Sequence, residues 1–276
     1  MRPISSNIRL WLTLVLWLLS IAFVGWNKMF RIPKKIKTHS DAISIMGSPE
    51  TDTIVHRESD RVNLYLSFDD GPTAGSWNLN TISITDSIPI NVFLIGKYVF
   101  KTDSNWRLFQ IYRQNPFVEI GNHSYTHANN HYHDYYEKPD QVKRDFLMNY
   151  DTLGLKNKIA RLPGRNCWQI NGRSRSDIED GKAAADSLAV SGYKVFGWDI
   201  EWRYNAAGRL VETASEMFAM VQNMAERKKS FTADNIVILC HDPMLADPYN
   251  ISALKSFVDL VKLNGNYRFE FLSRYP

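Results

Sequence analysis

Residues 62–73 read VNLYLSFDDGPT. The first seven are mostly apolar, β-branched or aromatic and carry no charge, the composition of a buried strand. Gly71-Pro72 ends that strand, because proline donates no hydrogen bond and glycine frees the turn. Asp69 and Asp70 stand between the two. Neighbouring side chains of a strand point to opposite faces, and the turn relaxes that alternation, so both carboxylates can reach one rim. Two adjacent carboxylates repel unless a cation lies between or beside them. In isolation the same residues also read as a solvated turn.

Strand-like and helical stretches alternate from there to the carboxy terminus. The strands are INVFLIG (90–96), VEIGNHS (118–124), ARLPGR (160–165), KVFGWDI (194–200), NIVILCH (235–241) and YRFEFL (267–272). Helical spacing runs through Trp106 and Tyr112, then over 140–153, 176–190, 208–227 and 251–263. This alternation predicts an α/β fold with a parallel sheet and crossover helices. About seven parallel strands in roughly 215 residues predict a distorted (β/α) barrel, closed or nearly so. In such a barrel the carboxyl ends of the strands carry the active site. Asp69-Asp70, His123, Arg161 to Arg165, Asp199 to Glu201 and His241-Asp242 all stand at strand ends, and packing does not explain five strands delivering ionisable groups to one rim.

The chain has 276 residues, 44% hydrophobic and 22% charged, the balance of an ordinary globular protein. Its 33 basic and 29 acidic side chains are too evenly matched for a nucleic-acid partner. Two cysteines, Cys167 and Cys240, exclude a disulfide scaffold and a cysteine-rich zinc module. Cys240, beside His241 in a strand, should face the helix side, and Cys167 reads as a free thiol.

Residues 10–26 form an uncharged run, LWLTLVLWLLSIAFVGW. As a helix it is roughly 25 Å long, just enough to cross a bilayer. Trp11 and Trp26 lie near its ends, where indoles favour the interface. A transmembrane signal anchor is the expectation. A signal peptide cleaved after Ser20-Ile-Ala22 and an ordinary buried helix are the alternatives. The expected organisation is a short tail (1–9), the anchor (10–26), a polar linker (27–61) and a catalytic domain (62–276). Arg2 and Arg9 precede the run, while Lys28, Arg31, Lys34, Lys35 and Lys37 follow it. These flanking charges argue weakly against an extracytoplasmic catalytic domain.

His123 and His127 stand at i and i+4, a spacing that puts both on one face of a helical turn. With a strand-end Asp they make a His, His, Asp ligand set with open positions. That set suits a catalytic divalent metal, zinc by default, with cobalt, nickel and iron as alternatives. His131 and His133 are rival ligands that read more simply as surface loop residues.

LSFDDGPT (66–73), HSYTH (123–127), RLPGR (161–165), GWDIEW (197–202) and LCHD (239–242) resemble, in order, the five motifs of the polysaccharide deacetylase family, the NodB-homology carbohydrate esterases. The resemblance runs from about residue 62 to the carboxy terminus, closely in the first two motifs and more loosely in the third and fourth. It implies metal-dependent removal of acetyl groups from an N-acetylglucosamine-containing glycan such as peptidoglycan, a chitin oligomer or an exopolysaccharide. It also implies roles. Asp69 would be the general base, Asp70, His123 and His127 the metal ligands, and His241 the general acid. Arg161 would orient Asp69, and a backbone amide near Gly164 would help hold the oxyanion. Leu239 with Trp198 or Trp202 would line the acetyl pocket.

Two departures from the family pattern stand out. The fourth motif has Asp199 and Glu201 where the family usually has two aspartates, and Glu201 is the expected partner of Arg161, with Asp199 the alternative. The third motif lacks the aromatic often found near Gly164, and Trp168 is the expected substitute platform. Asp242 is a candidate to orient the His241 ring.

Three competing functions are an O-acetyl xylan esterase on the same machinery, a membrane-tethered glycan-binding protein without turnover, and a cytoplasmic amide hydrolase acting on a small molecule. The binding protein would stack sugars on Tyr125, Tyr132, Tyr135, Tyr136 and Trp168. Because glycan polymers are mostly outside the cell, the catalytic domain is expected in the periplasm or at the cell surface.

Overall fold

Strand β1, Val62–Gly71, is the axis of the computed structural model, which describes residues 61–276. The expected tail, anchor and linker lie outside the described residues. Among the described residues no helix is long and apolar enough to cross a membrane. After β1 come α1 (Ser76–Thr85), β2 (Ile90–Leu94), α2 (Gly96–Val99), α3 (Asp103–Gln114) and β3 (Val118–Asn122). Then follow α4 (Tyr132–Tyr136), α5 (Pro139–Leu153), β4 (Ile159–Ala160), β5 (Cys167–Ile170), β6 (Arg173–Ser176) and α6 (Lys182–Val190). The chain ends with β7 (Lys194–Val195), β8 (Ile200–Glu201), α7 (Ala214–Glu226), β9 (Asn235–His241), α8 (Pro248–Asn264) and β10 (Tyr267–Phe269).

The sheet order is β6-β5-β7-β4-β3-β2-β1-β9-β8, with β10 also paired to β1. All pairings are parallel except those of β5 with β6 and with β7. The expectation of about seven parallel strands in a nearly closed barrel is therefore corrected to a curled, mixed half-barrel of ten described strands. Two local causes account for the difference. Strands β4, β7 and β8 have two residues each, too short to carry a ladder round to closure. Between β5 and β6, Asn171 and Gly172 both have positive φ (51° and 77°), the two-residue hairpin turn that Asn-Gly favours. Ser176 accordingly ends a strand rather than starting a helix. Between the edge strands, side chains replace the missing ladder. Arg175 of β6 donates to the Trp198 carbonyl and to Asp199, and Asp199 also accepts from the Phe231 and Val237 amides.

Strand alternation sorts the core into two layers. Leu64, Leu66 and Phe68 of β1, with Ile236, Ile238 and Cys240 of β9, face the helices. Tyr65 and Val237 face inward, where Phe93, Trp168, Phe196 and Tyr275 fill the floor of the half-barrel. Ser67 and Asp69 continue that inner row of β1 upward, and their register partners Leu239 and His241 do the same on β9. Cys240 lies on the helix side, as the alternation predicts, and burial pushes its thiol pKa up. The fold thus has an aromatic floor and a polar rim at the strand carboxyl ends.

Candidate active site

Asp70 reaches the rim through its backbone. Its φ is 69°, a left-handed conformation that costs a non-glycine residue about 1–3 kcal/mol and has to be held by its surroundings. The β1–β2 register also shifts between Phe68 and Gly71. Together these bring the Asp70 carboxylate to the same side as Asp69. His123 follows directly on β3, and His127 opens a short 3₁₀ turn, His127–Asn130. The expected helical turn does not connect the two histidines, since Ser124 sits at φ 65° and His127 at φ 54°. Side chains hold that irregular loop. The Ser124 hydroxyl accepts from the His127 amide (2.9 Å), and Asp145 accepts from the Thr126 amide and hydroxyl.

Asp70 Oδ1 lies 3.5 Å from His123 Nε2 and 3.1 Å from His127 Nε2. One ligand atom from each residue falls within 4.8 Å of the others. His123 Nδ1 donates to the Arg161 carbonyl at 2.9 Å, which fixes the ring and leaves Nε2 to serve as a lone-pair donor, as is typical of metal-binding histidines. Asp70 Oδ1 is buried, and among the described residues only the two imidazole nitrogens stand beside it. Burial opposes ionisation of Asp70, but His123 and His127 outweigh it and hold its carboxyl below the usual carboxylate range. Burial likewise opposes protonation of His123, and Asp69 and Asp70 more than reverse the effect. Both shifts express one demand, for positive charge among these side chains. One carboxylate and two imidazoles in this arrangement fit a divalent metal with open positions.

Arg161, wholly buried, underlies Asp69. Its Nη1 donates to Asp69 Oδ1 and to Ser67 Oγ, both at 2.9 Å. Its Nε donates to the Phe196 carbonyl and Nη2 to the Gly197 carbonyl, while the guanidinium lies over the Phe93 ring. The expected pairing of Arg161 with Glu201, or with Asp199, is corrected: among the described residues its acidic partner is Asp69. Four of the five guanidinium N–H groups are taken by that carboxylate, a hydroxyl and two carbonyls. Asp199 pairs with Arg175 at 3.2 Å instead, and Glu201 is half-buried on β8 in register with Leu239.

His241 is the register partner of Asp69. Its Nδ1 is buried without a partner among the described residues, and its ring meets Tyr204 edge-on at 5.2 Å. Asp242 turns away from that ring and accepts hydrogen bonds from Thr73, Ser76 and Tyr112, so it does not orient His241.

The expected substrate contacts divide. Gly164 is exposed at φ 61°, with the Tyr132 ring beside it, and Trp198 and Leu239 remain on the inner side. Trp168 is no exposed platform, because it is 1% exposed and stacks on Phe231 with centroids 4.5 Å apart. Trp202 is fully buried on the helix side against Phe257, its Nε1 donating to the Glu212 carbonyl. Standing next to Glu201 in sequence, it has to face the other way. Tyr136 is buried and donates to the Pro163 carbonyl, while Tyr125, Tyr132 and Tyr135 are half-buried. His131 and His133 are exposed, and His133 pairs with Glu137 away from the rim. The sequence reading missed Ser67 and Tyr204. Ser67 was legible from its parity with Asp69. Tyr204 lies in a loop without periodicity, where it lines a cavity of about 490 Å³ with His241, Pro243 and Met244.

Residues 56–167 match the family model described as polysaccharide deacetylase. Over that stretch, which holds Asp69, Asp70, His123, His127, Arg161 and Gly164, the chain is similar to polysaccharide deacetylases. No curated protein matches it. Among solved structures it is similar to a CE4 esterase from Streptococcus mutans, at 19% identity and a TM-score of 0.58 over 77% of this chain and 86% of that one. A polysaccharide deacetylase from Bacillus cereus matches at 25% identity and a TM-score of 0.52 over 78% of this chain and 96% of that one. The catalytic domain of a peptidoglycan N-acetylglucosamine deacetylase from Eubacterium rectale matches in fold, at 17% identity and a TM-score of 0.57 over 78% of this chain and 90% of that one.

Proposed function

We propose that the chain hydrolyses acetyl groups from an N-acetylglucosamine-containing glycan, such as peptidoglycan, a chitin oligomer or an exopolysaccharide, at the rim formed by β1, β3 and β9. The observation that carries this reading is the meeting at one rim of the Asp70–His123–His127 set, the Arg161-held Asp69 and, opposite Asp69, His241. Asp70, His123 and His127 would hold a divalent metal, zinc by preference, which supplies Lewis-acid chemistry to an acetyl carbonyl and to water. Asp69 accepts the proton of the attacking water, and Arg161 fixes the carboxylate that receives it. The new bond joins the water oxygen to the acetyl carbon. As the carbon–nitrogen bond breaks, His241 delivers a proton to the leaving nitrogen, and the products are acetate and a free amine. A backbone N–H near Gly164 faces the developing oxyanion. Trp198 and Leu239 line the acetyl pocket. Glycan polymers lie mostly outside the cell, so we place the catalytic domain in the periplasm or at the cell surface, held by the apolar amino-terminal run.

The test incubates the purified full chain, loaded with zinc or cobalt, with N-acetylglucosamine oligomers, peptidoglycan fragments and acetylated xylan, and follows acetate release and product mass. Release from the amide substrates that stops with chelator supports the proposal. Release from xylan alone makes it an O-acetyl esterase. Glycan binding without release makes it a binding protein.

A further inference from the structure

Asp242 is fully buried at the end of β9, yet its carboxylate serves a turn some 170 residues earlier in the chain. Oδ1 accepts from the Thr73 amide at 3.2 Å and from the Thr73 hydroxyl. Oδ2 accepts from the Ser76 hydroxyl and from the Tyr112 hydroxyl, each at 2.7 Å. The backbone of the turn also rests directly on this residue. A Cβ on Gly75 would come within 1.9 Å of the Asp242 carbonyl oxygen, and one on Gly71 within 3.0 Å of Oδ2. Immediately before this turn stands Asp70 with its positive φ. The β1–β9 ladder holds the backbone on one side of Asp70 as far as Asp69; on the other, Gly71 pairs with Leu94 of β2 and Asp242 holds the turn that follows.

We propose that Asp242 is a positioning residue that clamps the 71–76 turn and so keeps Asp70 in the backbone conformation that aims its carboxylate at His123 and His127. It acts through Asp70 and does not touch the reacting atoms. The inference rests on the reading of Asp70, His123 and His127 as a metal site. Left-handed backbone at a non-glycine residue persists only where its surroundings impose it. With the clamp released, Asp70 relaxes toward ordinary φ, its carboxylate leaves the two imidazoles, and the metal loses a ligand.

The test titrates cobalt(II) into the full chain and follows its visible absorption. The proteins are wild type, Asp242→Asn, Tyr112→Phe and Thr73→Val, each held well below its own separately measured Tm. Asp242→Asn should weaken cobalt binding by about 10- to 100-fold, the size of effect that follows when a metal ligand loses the support that orients it. Tyr112→Phe and Thr73→Val each remove one donor and should weaken it to a smaller degree; they keep the test alive if Asp242→Asn does not fold. Lower Tm with wild-type cobalt affinity in all folded variants would overturn the proposal, leaving Asp242 a packing residue. A wild-type chain that takes up no cobalt would overturn the metal reading and the clamp's role with it, and that result appears before any substitution is compared.

Discussion

Asp69 and His241 are register partners on the adjacent parallel strands β1 and β9, so one hydrogen-bonded ladder sets the separation of the two groups read as base and acid. Neither depends on a loop for its placement. Arg161 further fixes Asp69 from below through Nη1. Replacing Asp69 by Asn keeps the shape and a hydrogen-bond acceptor for Arg161 but removes the proton acceptor. Turnover of an acetylated oligomer should fall by about 10²- to 10⁴-fold, while cobalt or zinc stays bound. Metal loss in Asp69→Asn would instead make Asp69 a ligand.

Metal removal should show in stability as well as activity. A ligand that binds only the folded state stabilises it by about 2.7 kcal/mol at a hundred times its Kd. The buried Asp70 Oδ1 has only the two imidazoles beside it among the described residues, so chelation removes the ion that the three side chains would share. Thermal scans should show Tm falling with chelator and recovering with zinc. In His123→Ala, Tm should not respond to either. An unchanged wild-type Tm under chelation would argue that no metal binds at this set.

The buried Arg161–Asp69 pair allows a double-mutant cycle. Arg161→Met leaves Asp69, itself only 4% exposed, a buried acid with only the His123 imidazole, 3.6 Å away, beside it. Breaking such a pair costs about 3–5 kcal/mol. Adding Asp69→Asn removes the stranded charge, and part of the loss should return. Strict additivity in urea unfolding would mean that the two side chains are not coupled.

Arg165 anchors the Gly164 loop by bonding Asp180 through Nε (2.6 Å) and Nη2 (2.7 Å) while lying over the Tyr136 ring. The Arg165 bond holds the Asp180 carboxyl below its ordinary pKa. A carboxyl with a lowered folded pKa contributes stability above its unfolded pKa, and the contribution is lost as pH falls through the folded value. Because the pair is partly exposed, Asp180→Asn should cost no more than about 1 kcal/mol at pH 7. The gap between wild type and variant should close on acidification below about pH 4. A gap that persists at low pH would assign the effect to packing.

The rim was legible in the sequence because β1, β3 and β9 are regular strands that end in ionisable residues, and parity along them correctly sends Cys240 outward. Errors arose where regularity ends. The hairpin carries an Asn-Gly signal at Asn171-Gly172 that the helical spacing after Ser176 obscured. Arg161's partner depends on which donors the Phe196 and Gly197 carbonyls have already taken, a tertiary fact with no sequence signature. Trp202 follows the two-residue β8, and alternation carried one residue past the strand end puts it with Ile200 in the helix-side core rather than in the acetyl pocket.

Trp168 belongs to the aromatic floor of the half-barrel. Read from the sequence it is a sugar platform, whereas in the fold it stacks on Phe231 at an interplanar angle of 10° and packs against Phe196 and Tyr275. Truncating a buried tryptophan costs about 3–5 kcal/mol. Trp168→Ala should therefore lower Tm strongly, yet the fraction that remains folded should show an unchanged KM for N-acetylglucosamine oligomers. Trp198 is only half-buried and lies with the Arg161 guanidinium 5.9 Å from its ring. Trp198→Ala should do the reverse, with a small loss of Tm and a raised KM or lowered kcat. If Trp168→Ala kept its stability and raised KM, the indole would be meeting substrate, and the hairpin that carries it would have to open in solution.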